Sequence, residues 1–180
     1  MSHTIGHQPG TALESLPAGI PGVAPSPAAS IVPRPSGIAG VRFLDFRTVH
    51  DPSGNLTPIE EGLDVPFDIR RVFFLYDVPG GAERGGHAHR TLEEVVIAIS
   101  GSFDVVTEDG VAHARYSLNR AYYGLYLPAM VWMNMENFSS NAVALVLASQ
   151  AYQESDYFRD RADFLRLARK LPTRDPAGRV

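Results

Sequence analysis

Gly81-Ala82-Glu83-Arg84-Gly85-Gly86-His87-Ala88-His89-Arg90-Thr91-Leu92-Glu93-Glu94-Val95-Val96-Ile97-Ala98-Ile99-Ser100-Gly101 is the stretch that decides the fold. It fits the pattern G-x5-H-x-H-x4-E-x6-G with every anchor position filled. Side chains alternate along an extended chain, so histidines at i and i+2 point to the same face. Glu94 lies an odd number of residues from both and joins that face only if the chain turns between, as in a hairpin. Val95 to Ile99 is strand-like and stops at Gly101. The segment predicts two strands of a small barrel that aim two imidazoles and a carboxylate into one cavity. A histidine pair on a surface loop would need neither the glycines nor the glutamate in this register.

Outward from this core the pattern is strand, turn, strand. Upstream, Ile69 to Asp77 is the strongest strand, ended by Pro79-Gly80-Gly81, and Val41 to Phe46 is half-alternating. Asp51 to Leu56 is dense in turn residues. Downstream, Ser102 to Thr107 and Ala112 to Leu118 flank Glu108-Asp109-Gly110, which reads as a tight hairpin turn. Gly124 to Leu127, Val131 to Met135 and Val143 to Ser149 supply further short strands. Such close spacing predicts an all-β sandwich or antiparallel barrel.

The two ends differ from this. Residues 1–40 hold seven of the 14 prolines and two charged residues, Glu14 and Arg34, and predict a disordered arm. His3 and His7 within it are isolated. Near the other end Ser155-Asp156 resembles a helix cap, and Phe158, Leu165, Leu167 and Ala168 recur at near-helical spacing. One C-terminal helix is expected, with Tyr157, Phe158 and Phe164 packing it on the barrel. Residues 41–170 form the expected domain and 171–180 a tail.

The bulk numbers narrow the function. A chain of 180 residues suits one domain with a real core. Net charge −4 and a pI of about 5.8 speak against a nucleic-acid partner. Cysteine is absent, which removes thiolate ligands, cysteine nucleophiles and disulfides and fits a reducing compartment. No apolar run approaches the ~20 residues that span a bilayer, and no secretory signal pattern opens the chain. The expectation is a cytoplasmic protein with no membrane partner.

A second motif, P-x-G-x2-H-x3-N, would supply a fourth metal ligand. The matching stretch runs from Pro128 to Asn137, with Met133 in the histidine position. A thioether is a poor ligand for hard or borderline divalent ions. No metal is therefore expected, although His87, His89 and Glu94 could make a three-ligand site. The histidines are then free as acid and base, suited by an ordinary pKa near 6.5.

Three separated phrases carry a family resemblance: RRVFFLYDVPGGAERGGHAHRTLEEVV, GLYLPAMVW and LVLASQAYQESDYFRDRADFL. From about residue 40 to 170 the chain resembles the cupin-type nucleotide-sugar 3,4-ketoisomerases, also called WxcM-like or FdtA-type proteins. The resemblance implies a cupin-type antiparallel β-barrel or jelly roll, and a homodimer with strand exchange. It implies a dTDP-linked 4-keto-6-deoxyhexose substrate and no cofactor. One histidine of the pair, His87 or His89, and a nearby tyrosine, taken as Tyr76, would perform the proton transfers. Arg84 and Arg71 are the expected cationic contacts to substrate, Trp132 and Tyr126 candidate walls of the sugar pocket, and Glu94 an orienting carboxylate. Two departures stand out: Met133 where the family commonly has histidine, and Glu94 where it often has glutamine. The rival readings are a sugar-nucleotide epimerase of the same fold, a non-catalytic sugar-binding cupin, and a metal-dependent dioxygenase or small-molecule isomerase.

Overall fold

The computed structural model describes residues 37–171. Residues 1–36 of the expected arm, with His3 and His7, and the tail from 172 onward lie outside the described residues. Twelve strands and one helix are assigned within them. The strands are β1 Arg42–Asp45, β2 Val49–Asp51, β3 Gly54–Leu56, β4 Arg71–Leu75, β5 Arg84–His89, β6 Glu94–Ser100, β7 Phe103–Glu108, β8 His113–Leu118, β9 Tyr123–Leu127, β10 Trp132–Glu136, β11 Val143–Ala148 and β12 Tyr157–Phe158; α1 is Arg161–Ala168.

Two five-stranded sheets, ordered β1-β9-β6-β11-β4 and β12-β5-β10-β7-β8, make up the jelly roll. Every pairing within them is antiparallel. Their facing side chains form the main core, which includes Val96, Phe103, Val105, Leu118, Leu125, Met133 and Val146. Fully buried side chains of this size each stabilise the fold by roughly 1.5–3 kcal/mol. Ile38 is also fully buried in this core, so the folded unit begins before residue 41. A second cluster, with Leu44, Phe46, Phe67, Ile97 and Leu147, covers part of the other face of the β1-to-β4 sheet.

The turn between the histidines and Glu94 is not a hairpin. β5 pairs with β10 and β12, whereas β6 pairs with β9 and β11, so residues 90–93 carry the chain from one sheet to the other. Both strands still point their polar side chains into the space between the sheets. The register rule that predicted a shared face holds for a different connection.

The C-terminal helix also differs from expectation. It starts at Arg161, and the Asp160 carboxylate accepts the Asp163 backbone N–H at 2.9 Å, as an N-cap does. Ser155-Asp156 instead belongs to a single 3-10 turn, Glu154–Asp156, which leads into β12. Phe164 and Ala168 pack the helix against Ala88, Phe158, Met130 and Trp132.

Candidate active site

β5 and β6 open into a cavity of about 340 Å³ between the sheets. One wall is apolar, made by Phe73, Leu75, Met133, Met135 and Val146, and the rest is polar, made by Glu83, Arg84, His87, Glu94, Tyr157 and Arg159. Alternation on β4 explains the first pair: Phe73 and Leu75 face inward, while Val72 and Phe74 lie more than half exposed outside.

His87 lines the cavity and His89 lies beneath it, 5.0 Å away between ring centres. His89 is held from two sides. Its Nδ1–H donates to Asp156 Oδ2 at 3.0 Å, and its Nε2 lies 3.4 Å from Glu94 Oε1. All three residues are buried. Asp156 also accepts the Thr91 and Leu92 backbone N–H groups and the Thr91 hydroxyl, at 2.9, 3.3 and 2.8 Å. Burial pushes the Asp156 carboxyl up, but these hydrogen bonds outweigh it and hold it below the usual carboxylate range. For His87 burial dominates. It pushes the imidazole below its ordinary 6.5, against the pull of the Glu94 charge.

Gly85 sets how closely β5 and β10 approach. Its φ is +93°, and a Cβ there would meet Met133 Sδ at 2.7 Å and Met133 O at 3.1 Å. The ladder slips by one residue at this point, between Met133 and Asn134. Met133 is thus pressed into the cavity where a fourth ligand would stand. Met130, at the glycine position of that second motif, keeps the left-handed backbone the motif calls for, with φ 59°.

His87, His89 and Glu94 place ligand atoms within 4.8 Å of one another. His87 Nδ1, His89 Nε2 and Glu94 Oε1 are buried without a hydrogen-bond partner. The three residues fit a three-ligand ion. The fourth corner, a thioether, does not complete it for zinc or iron.

The remaining expected site residues divide. Arg84 lines the cavity. Arg71 sits at its edge, where its Nη2 donates to the Tyr157 hydroxyl at 3.3 Å. Three others lie elsewhere. Tyr76, one residue past β4, is on the strand's outer face, 60 % exposed and packed on Phe74. Trp132 faces away from the cavity and packs on Phe164, 5.7 Å between ring centres. Tyr126 joins the outer cluster and donates its hydroxyl to Glu93 at 2.6 Å. In each case strand alternation sends the side chain to the opposite face from the site.

Sequence reasoning missed Asp156, Tyr157 and Arg159. It assigned Tyr157 to packing, whereas its ring lies against His89 and His87 at 4.3 and 5.0 Å and its edge lines the cavity. Arg159 stacks over that ring at 4.0 Å and pairs with Glu154 at 2.9 Å, which holds the Glu154 carboxyl down at about 2. The available signal was the ESDYFRD phrase itself, in which Asp156 and Tyr157 precede a polar turn.

Comparison with known proteins identifies the family. Residues 39–169 match the family model described as FdtA: WxcM-like, C-terminal. The chain belongs to that family. A TDP-4-oxo-6-deoxy-alpha-D-glucose-3,4-oxoisomerase from Aneurinibacillus thermoaerophilus is 38% identical over 130 residues, 72% of this chain and 94% of the relative. A mutant of the 3,4-ketoisomerase QdtA from Thermoanaerobacterium thermosaccharolyticum, with asparagine for a histidine and in complex with TDP-4-keto-6-deoxyglucose, superposes with TM-score 0.72. It is 36% identical over 73% of this chain and 95% of its own. The WlaRB TDP-quinovose 3,4-ketoisomerase from Campylobacter jejuni is 40% identical, covers 72% of this chain and 99% of its own, and has TM-score 0.69. The two solved structures share the double-sheet frame of this chain.

Proposed function

We infer that this chain is a nucleotide-sugar 3,4-ketoisomerase of deoxysugar biosynthesis, acting on a dTDP-linked 4-keto-6-deoxyhexose. The observation that carries the reading is His87, kept neutral by burial, at the wall of a cavity of sugar size and backed by the Asp156-His89-Glu94 line.

The C4 ketone acidifies the hydrogen on C3. A neutral imidazole removes that hydrogen, the C–H electron pair becomes the C3=C4 bond, and the carbonyl pair moves onto O4. Protonation of O4, loss of the O3 proton and proton delivery to C4 leave the ketone at C3. His87 is the base, because it lines the cavity and burial favours its neutral form. His89, fixed by Asp156, supports it from below. Arg84 and Arg159 place two guanidinium groups at the cavity, suited to the diphosphate of a nucleotide sugar. The apolar wall suits a 6-deoxy methyl group.

We assign this chemistry no metal, a reading supported by Met133, a thioether that lines the cavity opposite His87 and fills the histidine position of the second motif. A divalent ion held by His87, His89 and Glu94 would instead act as a Lewis acid on the ketone.

The active form is a homodimer with strand exchange. Support comes from β4, an edge strand whose outer face shows Val72 and Phe74 exposed, continued by Tyr76. The β2-β3 hairpin pairs with no other strand among the described residues. We place the enzyme in the cytoplasm, in keeping with a cysteine-free chain; no helix among the described residues is long and apolar enough to cross a membrane.

The test is incubation with dTDP-4-keto-6-deoxyglucose in deuterated water, followed by proton NMR. A 3-keto product labelled at C4 supports the reading, and an unchanged sugar sinks it.

A further inference from the structure

The ketoisomerase reaction must also move a proton between O3 and O4, while His87 is engaged at carbon and His89 is held by Asp156 beneath the cavity. Tyr157 carries the only hydroxyl among the described residues lining the cavity; the inward positions of β4 are Phe73 and Leu75. Three contacts fix its ring. In the β12-β5 ladder Tyr157 stands opposite His89. Its face lies under the Arg159 guanidinium, 4.0 Å from the ring centre, and its edge meets Tyr152 at 5.5 Å. The phenol oxygen accepts from Arg71 Nη2 at 3.3 Å. Among the described residues the phenol proton has no acceptor, so it is left for a ligand in the cavity.

We propose that Tyr157, assisted by Arg71, is the catalytic hydroxyl that carries the proton from O3 to O4. The proposal rests on the ketoisomerase reading. Once the C3 hydrogen has passed to His87, the enediolate O4 takes the phenol proton, and a new O–H bond forms as the phenol O–H breaks. The phenolate is stabilised by two cations, Arg71 at its oxygen and Arg159 over its ring. It then takes the proton from O3, the O3 electron pair forms the C3=O3 bond, and the C3=C4 pair accepts a proton at C4 from the His87 imidazolium. Tyrosine and histidine both return to their starting forms. Arg71 acts through Tyr157 and is a positioning residue.

The discriminating experiment follows C3–H exchange and isomerisation together, in deuterated water, with dTDP-4-keto-6-deoxyglucose. In Tyr157→Phe isomerisation falls about 10²-fold or more. Washout of the C3 hydrogen falls much less, since the base remains, so the ratio of exchange to isomerisation rises. Arg71→Met, which keeps the phenol and removes its cation, raises the same ratio to a smaller degree. Tyr76→Phe, on the outer face, changes neither rate. Near-native isomerisation in Tyr157→Phe, or a parallel fall in both rates with an unchanged ratio, overturns the assignment. An unchanged ratio in Arg71→Met overturns the part given to Arg71. If the native chain neither exchanges nor isomerises, the ketoisomerase reading itself fails.

Discussion

His89 and Asp156 are 67 residues apart in the chain and 3.0 Å apart in the fold, with Nδ1–H donating to the carboxylate. That bond fixes which ring nitrogen carries the proton and turns Nε2 toward Glu94 and the cavity floor. It also ties the 3-10 turn that leads into β12 to the strand that carries both histidines.

Asp156→Asn should therefore lower kcat more than it weakens nucleotide binding. It replaces one of two accepting oxygens with a donor facing Thr91, Leu92 or His89. The lost hydrogen bonds to a buried charge should cost about 1.5–3 kcal/mol of stability. Nitrogen NMR of the His89 ring separates the effects: a mixed tautomer in a folded variant confirms orientation as the role, and an unchanged tautomer with normal kcat rejects it.

His87→Asn should reduce turnover about 10²–10⁴-fold with nucleotide affinity nearly intact. Near-native rates with lost affinity would make His87 a binding residue instead.

The pH behaviour follows from the depressed His87 value. The base form persists below the ordinary 6.5, so the acidic limb of kcat/KM should fall below that value. For stability the sign runs the same way. In the window below 6.5 the unfolded chain binds more protons at this residue than the folded one. Its contribution is thus full above 6.5 and lost as pH falls. Thermal melts of native and His87→Asn protein between pH 5 and 8, roughly the range of maximal stability, should diverge on the acid side. Parallel curves would show that burial leaves this imidazole unshifted.

Activity should survive exhaustive EDTA treatment. Met133→His should raise zinc affinity, because it places a fourth nitrogen beside His87, His89 and Glu94. Metal that co-purifies in stoichiometric amount and restores lost activity to the native chain would promote the Lewis-acid alternative.

Sedimentation should give a dimer at micromolar concentration. Replacing Phe74 with glutamate, on the exposed face of β4, should shift it toward monomer. A native monomer would remove the strand-exchange reading.

Much of the barrel was legible because alternation and turn residues act locally. β7, β8, β10 and β11 fall within a residue or two of where Val, Ile, Tyr and Gly place them. The histidine pair was legible for the same reason, since period-two geometry fixes its shared face. The second half of the site was not. Whether Tyr76 or Tyr157 reaches the cavity depends on which face of β4 looks inward and where β12 docks, and both are tertiary facts. Trp132 and Tyr126 failed likewise: an aromatic ring in a strand serves core or pocket equally well, and only the facing layer decides. Asp156 was read as a cap because an acidic residue before an apolar period has that local meaning.

The placement of β12 has a consequence for how the enzyme comes into being. A nascent chain that has extruded β1 to β11 already possesses both imidazoles and Glu94. It lacks the carboxylate that orients one of them, the phenol beside them and a guanidinium at the mouth, all of which arrive between residues 156 and 159. On the proposed mechanism, a chain made only as far as β11 holds the base without the groups that orient its neighbour and carry the second proton.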